Sequence, residues 1–195
     1  MRQGTIVTVP PSGHPLSLAE AKRQLRIEEA DTDQDAHITA LIAAAHRMIE
    51  RELGYPILRQ TRQTHLMQFP CGPIWLAGGH NLELLAIQYR DHAGTVQLLD
   101  PAQYALDAVS RPAQVLPASG QVWPATSFGP GAVMVEWRAG WPNAAEVPED
   151  LVHAMKLLVA HWDQNREAVV VATVATEVQL ALAALLAPFR VPFVA

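Results

Sequence analysis

Apolar residues recur at steps of three and four up to Gly54 and again from Leu151, but between residues 57 and 138 they come in short alternating or β-branched runs broken by Pro, Gly and Asp. A helix-period pattern does not settle as strands, nor a strand-period pattern as helices. The chain must therefore place helices on both sides of a β section. The fold class expected is α+β, a helical bundle of about four helices with a β-rich section between the second and third.

Two helices precede that section. Ser17 and Glu20 have capping-box spacing in SLAE, ahead of AKRQLRI, where Leu18, Ala21 and Leu25 share a face. The run DTDQDAHITALIAAAHRMIERELG opens with Asp and Thr cap candidates and carries Ile38, Leu41, Ile42, Ala45, Ile49 and Leu53 at helical spacing, with Gly54 placed to close it. Asp31, Thr32, Asp33 and Asp35 do not make a calcium loop, because the sixth loop position has no glycine and the twelfth no glutamate.

A third helix is expected in PEDLVHAMKLLVAHWDQNREA, residues 148–168. Pro148 suits the first turn, and Glu149 and Asp150 suit the positive end of the dipole. Leu151, Ala154, Met155, Leu158, Val159 and Trp162 form the apolar stripe, with Trp162 as a buried packing anchor at its end. His153 and His161 lie roughly 80° apart around the axis and about 12 Å apart along it, so one metal ion cannot be held by both. The helical zinc pair is absent as well, since the fourth residue after His153 is Leu157. The polar residues of this helix are read as scaffold.

Strands are expected in residues 58–69, 82–90, 95–99, 103–107, 113–117 and 132–139, with a hairpin turn at Asp91-His92-Ala93-Gly94. GPIWLAGGHN, residues 72–81, is read as a loop, having neither the phosphate-binding Lys-Ser/Thr nor a GxGxxG entering a helix. Residues 168–187, AVVVATVATEVQLALAALLA, are long enough to span a bilayer. Glu177 and Gln179 near the middle, and the change from β-branched to Ala/Leu composition, argue instead for two elements, with Thr176 capping a fourth helix from Glu177 to Ala187 that Pro188 stops.

Half of the residues are hydrophobic and 17% are charged, which points to apolar surface covered by another chain. A formal charge of -5 with scattered Lys and Arg excludes a basic stripe for sequence-specific DNA binding. Cys71 is the only cysteine, so there is neither a disulfide framework nor a CxxC metal site. It sits in FPCGP with no local base, as loop filler rather than nucleophile. No serine occurs in GxSxG, and the eight histidines are scattered. No secretory signal is evident at the N-terminus.

The order of these features resembles the head-tail connector (adaptor) proteins of long-tailed phages, which also occur in prophages and gene transfer agents. The resemblance rests on PLSLAEAKRQLRI, LIAAAHRMIERELGYPI, GQVWPAT, VEWRAGWPNAAEVPEDLVHAMKLLVAHWDQNREA and LAALLAPFRV, in that order. It covers nearly the whole chain and is most specific from RAGWPNAAEVPEDLVHAMKLLVAHW to ALLAPFRV. It implies a virion structural protein with no catalytic residues, no cofactor and no metal. Such subunits form a homo-oligomeric ring, usually twelve-fold, beneath the portal protein, and a stopper or tail-completion protein docks on it. DNA passes through during packaging and exit without sequence-specific binding, no membrane is involved, and the particle assembles in the bacterial cytoplasm.

On that reading residues 1–195 form one connector domain, with N-terminal helices over 17–54, the β-rich section over 57–138, C-terminal helices over 148–188 and an extended tail over 189–195. Lys156, Asp163, Arg166 and Glu167 are candidate contacts with neighbouring subunits, a solvated face being the alternative. Pro188 and Pro192 disfavour a resumed helix, and Phe189, Val191, Phe193 and Val194 form an apolar strip whose only charge is Arg190. This tail is expected to be an assembly element. The rival readings are a small enzyme with a site assembled from scattered His and Asp residues, and a membrane-anchored protein using residues 168–187.

Overall fold

The computed structural model describes residues 4–165 and 176–191. Its architecture is α+β, as the change of period requires, and the chain divides into two units. Residues 4–11 and 59–140 build a β unit, and residues 12–58 and 141–190 build a helical unit.

The β unit contains β1 (Gly4–Val9), β2 (Gln60–Leu66), β3 (Ile74–Leu76), β4 (Glu83–Arg90), β5 (Val96–Leu98), β6 (Tyr104–Asp107), β7 (Ala113–Pro117) and β8 (Val133–Ala139). They form a five-stranded sheet ordered β1-β2-β8-β4-β5 and a three-stranded sheet ordered β3-β7-β6, with every pairing antiparallel. Strand alternation sets the core: Val133, Val135, Trp137 and Ala139 of β8 are buried, whereas Met134, Glu136 and Arg138 face the other way. The inward residues join Leu66, Ile87, Ile74, Leu76 and Val115 in one apolar cluster drawn from both sheets. Trp137 is fully buried, and its indole N–H donates to Thr64 Oγ1 at 2.9 Å. Phe69 stacks on Trp123 with ring centroids 4.7 Å apart.

Two strands depart from the sequence reading. Ile74–Leu76, expected to be loop, pairs with β7 and buries Ile74 and Leu76; three residues of alternation are too few for periodicity to register. β1 was not expected at all. Its six residues, GTIVTV, are all exposed, so no burial alternation marks them, and only the lack of charge and the β-branched composition signal a strand. The hairpin at residues 91–95 does form. Asp91 Oδ1 accepts from the N–H groups of Ala93 and Thr95, both at 2.9 Å, and Gly94 takes the left-handed conformation at φ 82°.

The helical unit comprises α1 (Leu18–Leu25), α2 (Asp35–Leu53), α3 (Glu149–Gln164) and α4 (Thr176–Leu186). The capping box forms in full, with Glu20 N–H donating to Ser17 Oγ and Ser17 N–H donating to Glu20 Oε2, each at 3.2 Å. In α2 the expected stripe holds, Ile38, Ile42, Ala45, Ile49 and Leu53 being buried, and Gly54 closes the helix in the left-handed conformation. The Asp and Thr cap candidates do not cap it. Gln34 occupies the N-cap without a side-chain capping bond, and the Asp31 candidate is engaged elsewhere, its Oδ1 turned to the N–H of Asp33 and its carbonyl holding Lys22.

Lys22 is the least predictable of these residues, a lysine left 3% exposed. Its Nζ donates to the carbonyls of Asp31 at 2.7 Å and Glu29 at 3.1 Å, and lies 2.5 Å from Asp35 Oδ1. One cation thus fastens the whole α1–α2 connection to the start of α2, while its aliphatic stem fills the helix face.

In α3 the stripe is buried from Leu151 to Val159, but Trp162 is only half-buried, not the anchor expected. At this level α2 is just beginning, as the pairing of His37 Nε2 with Asp163 Oδ1 at 3.4 Å shows, so little helix remains to cover the indole. The fourth helix starts at Thr176 and ends at Leu186, one residue earlier at each end than expected. Ala187–Phe189 then form a 3-10 turn, so extended backbone begins at Arg190 and not at 189.

Candidate functional site

The residues singled out for assembly separate into two places and a remainder. On α3, Lys156 Nζ stands 3.7 Å from Glu20 Oε1, tying α3 to the cap of α1, and Asp163 faces His37 at the start of α2. The hydrogen bond from Ser17 holds the Glu20 carboxyl below its usual range, and Lys156 adds to that effect. Both α3 candidates therefore already serve the bundle's internal geometry. Arg166, Glu167 and Phe193 lie outside the described residues.

At the other place the chain leaves α4. The Phe189 carbonyl accepts from the Tyr55 hydroxyl at 2.7 Å, and Arg190 pairs with Glu52. Phe189 and Val191 are half-buried and Arg190 is exposed. Arg190 also borders a groove of about 230 Å³ lined by Met48, Ile49 and Glu52 of α2, Leu158 of α3, and Gln179, Leu182, Ala183 and Leu186 of α4. An apolar floor with a charged rim suits an apolar side chain presented by an extended segment. Phe189 and Arg190, the start of the expected tail, are thus fastened at the end of α2, and residues 192–195 lie outside the described residues.

The β unit carries a surface that the sequence reading missed. Ile6 and Val9 on β1 are 54% and 57% exposed, and Val96 and Leu98 on β5 are 52% and 68% exposed. The register places all four on one face of the five-stranded sheet, opposite the core: Ile6 stands beside Gln63, Val9 beside Thr61, Val96 beside Arg90 and Leu98 beside Gln88. Composition could have pointed here, since both segments lack charge; which face they occupy could not be read without the register.

The histidines do not converge, and among the described residues no three His, Cys, Asp or Glu side chains are grouped to hold a metal ion. One pair does meet. His14 and His46 approach Nδ1 to Nδ1 at 3.0 Å, and Glu50 bonds the Ile57 N–H while lying 3.4 Å from His46 Nε2. Burial lowers the His14 pKa below its usual value, His46 and Arg47 lower it further, and Glu50 opposes them. A lowered histidine pKa means that the unfolded chain binds the proton more readily, so this contribution to stability is full above about pH 6.5 and is lost as pH falls below it. The melting temperature is expected to drop between pH 7.5 and 5.5, and His14→Gln to reduce that drop. An equal drop in the variant would contradict the assignment. Among the described residues no helix is long and apolar enough to cross a membrane; residues 168–175 of the stretch weighed above lie outside them.

A family model described as head completion protein matches residues 16–177. The chain belongs to the head completion protein family. No curated protein sequence matches it. Among solved structures, a chain in the neck of an empty gene transfer agent particle computed with C6 symmetry is similar at TM-score 0.78 and 22% identity, covering 100% of this chain and 98% of the other. A chain from the virion of a native gene transfer agent particle gives 0.76 at 22%, and one from the neck of a native particle computed with C12 symmetry gives 0.72 at 21%, each with the same coverage. The chain thus shares its fold, along its full length, with chains of gene transfer agent particles.

Proposed function

We propose that this head completion protein is the connector subunit of a tailed phage or gene transfer agent particle, with its two units acting as one domain. Twelve copies form a ring below the portal protein and present the surface on which the stopper or tail-completion protein docks. The family match across residues 16–177 carries this reading, and the C6 and C12 symmetry of the neck particles containing similar folds supports a ring. The ring acts by position: it prolongs the DNA channel and converts the portal's surface into one that a tail component fits. No residue is assigned a catalytic role. An acidic chain of net charge -5 suits a channel along which DNA slides without adhering.

Cells that make the particle without this chain should accumulate DNA-filled heads and free tails, visible separately by electron microscopy. Tailed particles in normal yield would contradict the proposal. The tail has its own test. Because Phe189 and Arg190 are fastened to Tyr55 and Glu52, deletion of residues 192–195 is expected to leave circular dichroism and melting unchanged while the protein no longer enters particles. Normal incorporation of the shortened chain would remove residues 192–195 from the assembly surface.

A further inference from the structure

We propose that neighbouring copies join by continuing the five-stranded sheet, with β5 of one copy pairing in parallel with β1 of the next. This rests on the ring reading and names the seam. Among the described residues the sheet has two open edges, β1 and β5, and neither contains a charged residue or a proline, the usual means of discouraging edge pairing. Four successive antiparallel pairings leave β1 and β5 running in the same direction. That is what head-to-tail closure requires. Neighbours in a twelve-membered ring differ by a rotation of about 30°, which cannot reverse a strand, so β1 of one copy cannot meet β1 of another antiparallel as in a two-fold dimer.

The lengths and faces also agree. The β1 ladder is regular from Gly4 to Val7 and shifts register before Val9, leaving a pairing segment comparable to the three residues of β5. Across such a seam the exposed Val96 and Leu98 of one copy meet Ile6 of the next on the same sheet face, away from the core, and all three leave water together.

The test uses the full chain carrying Cys71→Ser, which removes the exposed native thiol. Ile6→Cys and Leu98→Cys are introduced singly and together, both at exposed positions that leave the monomer fold intact. Treated with a short bis-maleimide at concentrations where oligomers are seen by native mass spectrometry, the double variant should give a ladder of covalent multimers, and each single variant no multimer beyond background. Oligomers of unchanged mass that do not cross-link would overturn the seam and leave the ring standing. Efficient dimers from the Ile6→Cys single variant would show two-fold pairing and overturn it too. A chain that stays monomeric at every concentration would overturn both the seam and the ring.

Discussion

Trp137→Ala is expected to destabilise the β unit by about 3 to 5 kcal/mol, the range for truncating a fully buried aromatic. The side chain is 0% exposed, sits in the cluster shared by the two sheets, and has the Arg62 guanidinium 5.8 Å from its ring centre. Alanine would leave a cavity bordered by strands on both sides of β8 and would take the indole donor away from Thr64 Oγ1, which keeps its bond to Thr5 Oγ1 at 3.0 Å. For a chain of this size the loss corresponds to roughly 6 to 20 °C in melting temperature. Trp137→Phe should recover most of it, the residue being the missing hydrogen bond at about 1 kcal/mol. A melting curve that does not move in the alanine variant would contradict this account of the core.

Lys22→Met is expected to lower stability by about 2 to 4 kcal/mol. Methionine keeps the unbranched apolar stem and removes only the ammonium, so the loss isolates the polar clamp. Two main-chain carbonyls, those of Glu29 and Asp31, lose a donor, and Asp35 loses its cation. The Asp35 side chain is 31% exposed, so water compensates part of the loss and the figure stays below that for a fully buried pair. Asp35→Asn in the Lys22→Met background should then cost less than Asp35→Asn alone, and the difference in denaturant midpoint gives the coupling. Additivity of the two substitutions would mean that Lys22 and Asp35 do not act as a pair.

What the sequence disclosed follows from which signals are local. The capping box at Ser17 and Glu20, the stripe of α2 and its glycine stop, and the alternation of β8 each lie within a few residues, and each appears in the fold as expected. Lys22 was illegible for the opposite reason. Its partners come from a connection seven to thirteen residues further on, and a lysine on a helix face otherwise reads as solvated. β1 was missed because an edge strand exposed on both faces has no burial period, and Trp162 was misread because periodicity says which side a residue faces but not where the neighbouring helix begins.

The assembly surfaces divide in the same way. Sequence could mark Arg190 and Phe189 as unusual at a chain end, but their attachment to Glu52 and Tyr55 depends on α2 lying beside the end of α4. Lys156 and Asp163 were visible as polar residues on an otherwise apolar helix; their engagement with Glu20 and His37 emerges only from the packing of three helices. That the exposed apolar residues of β1 and β5 share one sheet face, at its two opposite edges, emerges only once the sheet order and register are known.

The most direct test of the ring is electron microscopy of the purified chain combined with the portal protein of its own particle. The account predicts a closed ring of twelve copies seated on one end of the portal, with the shared channel open along the axis. Single copies scattered on the portal, or no association with it at concentrations where particles form, would contradict it.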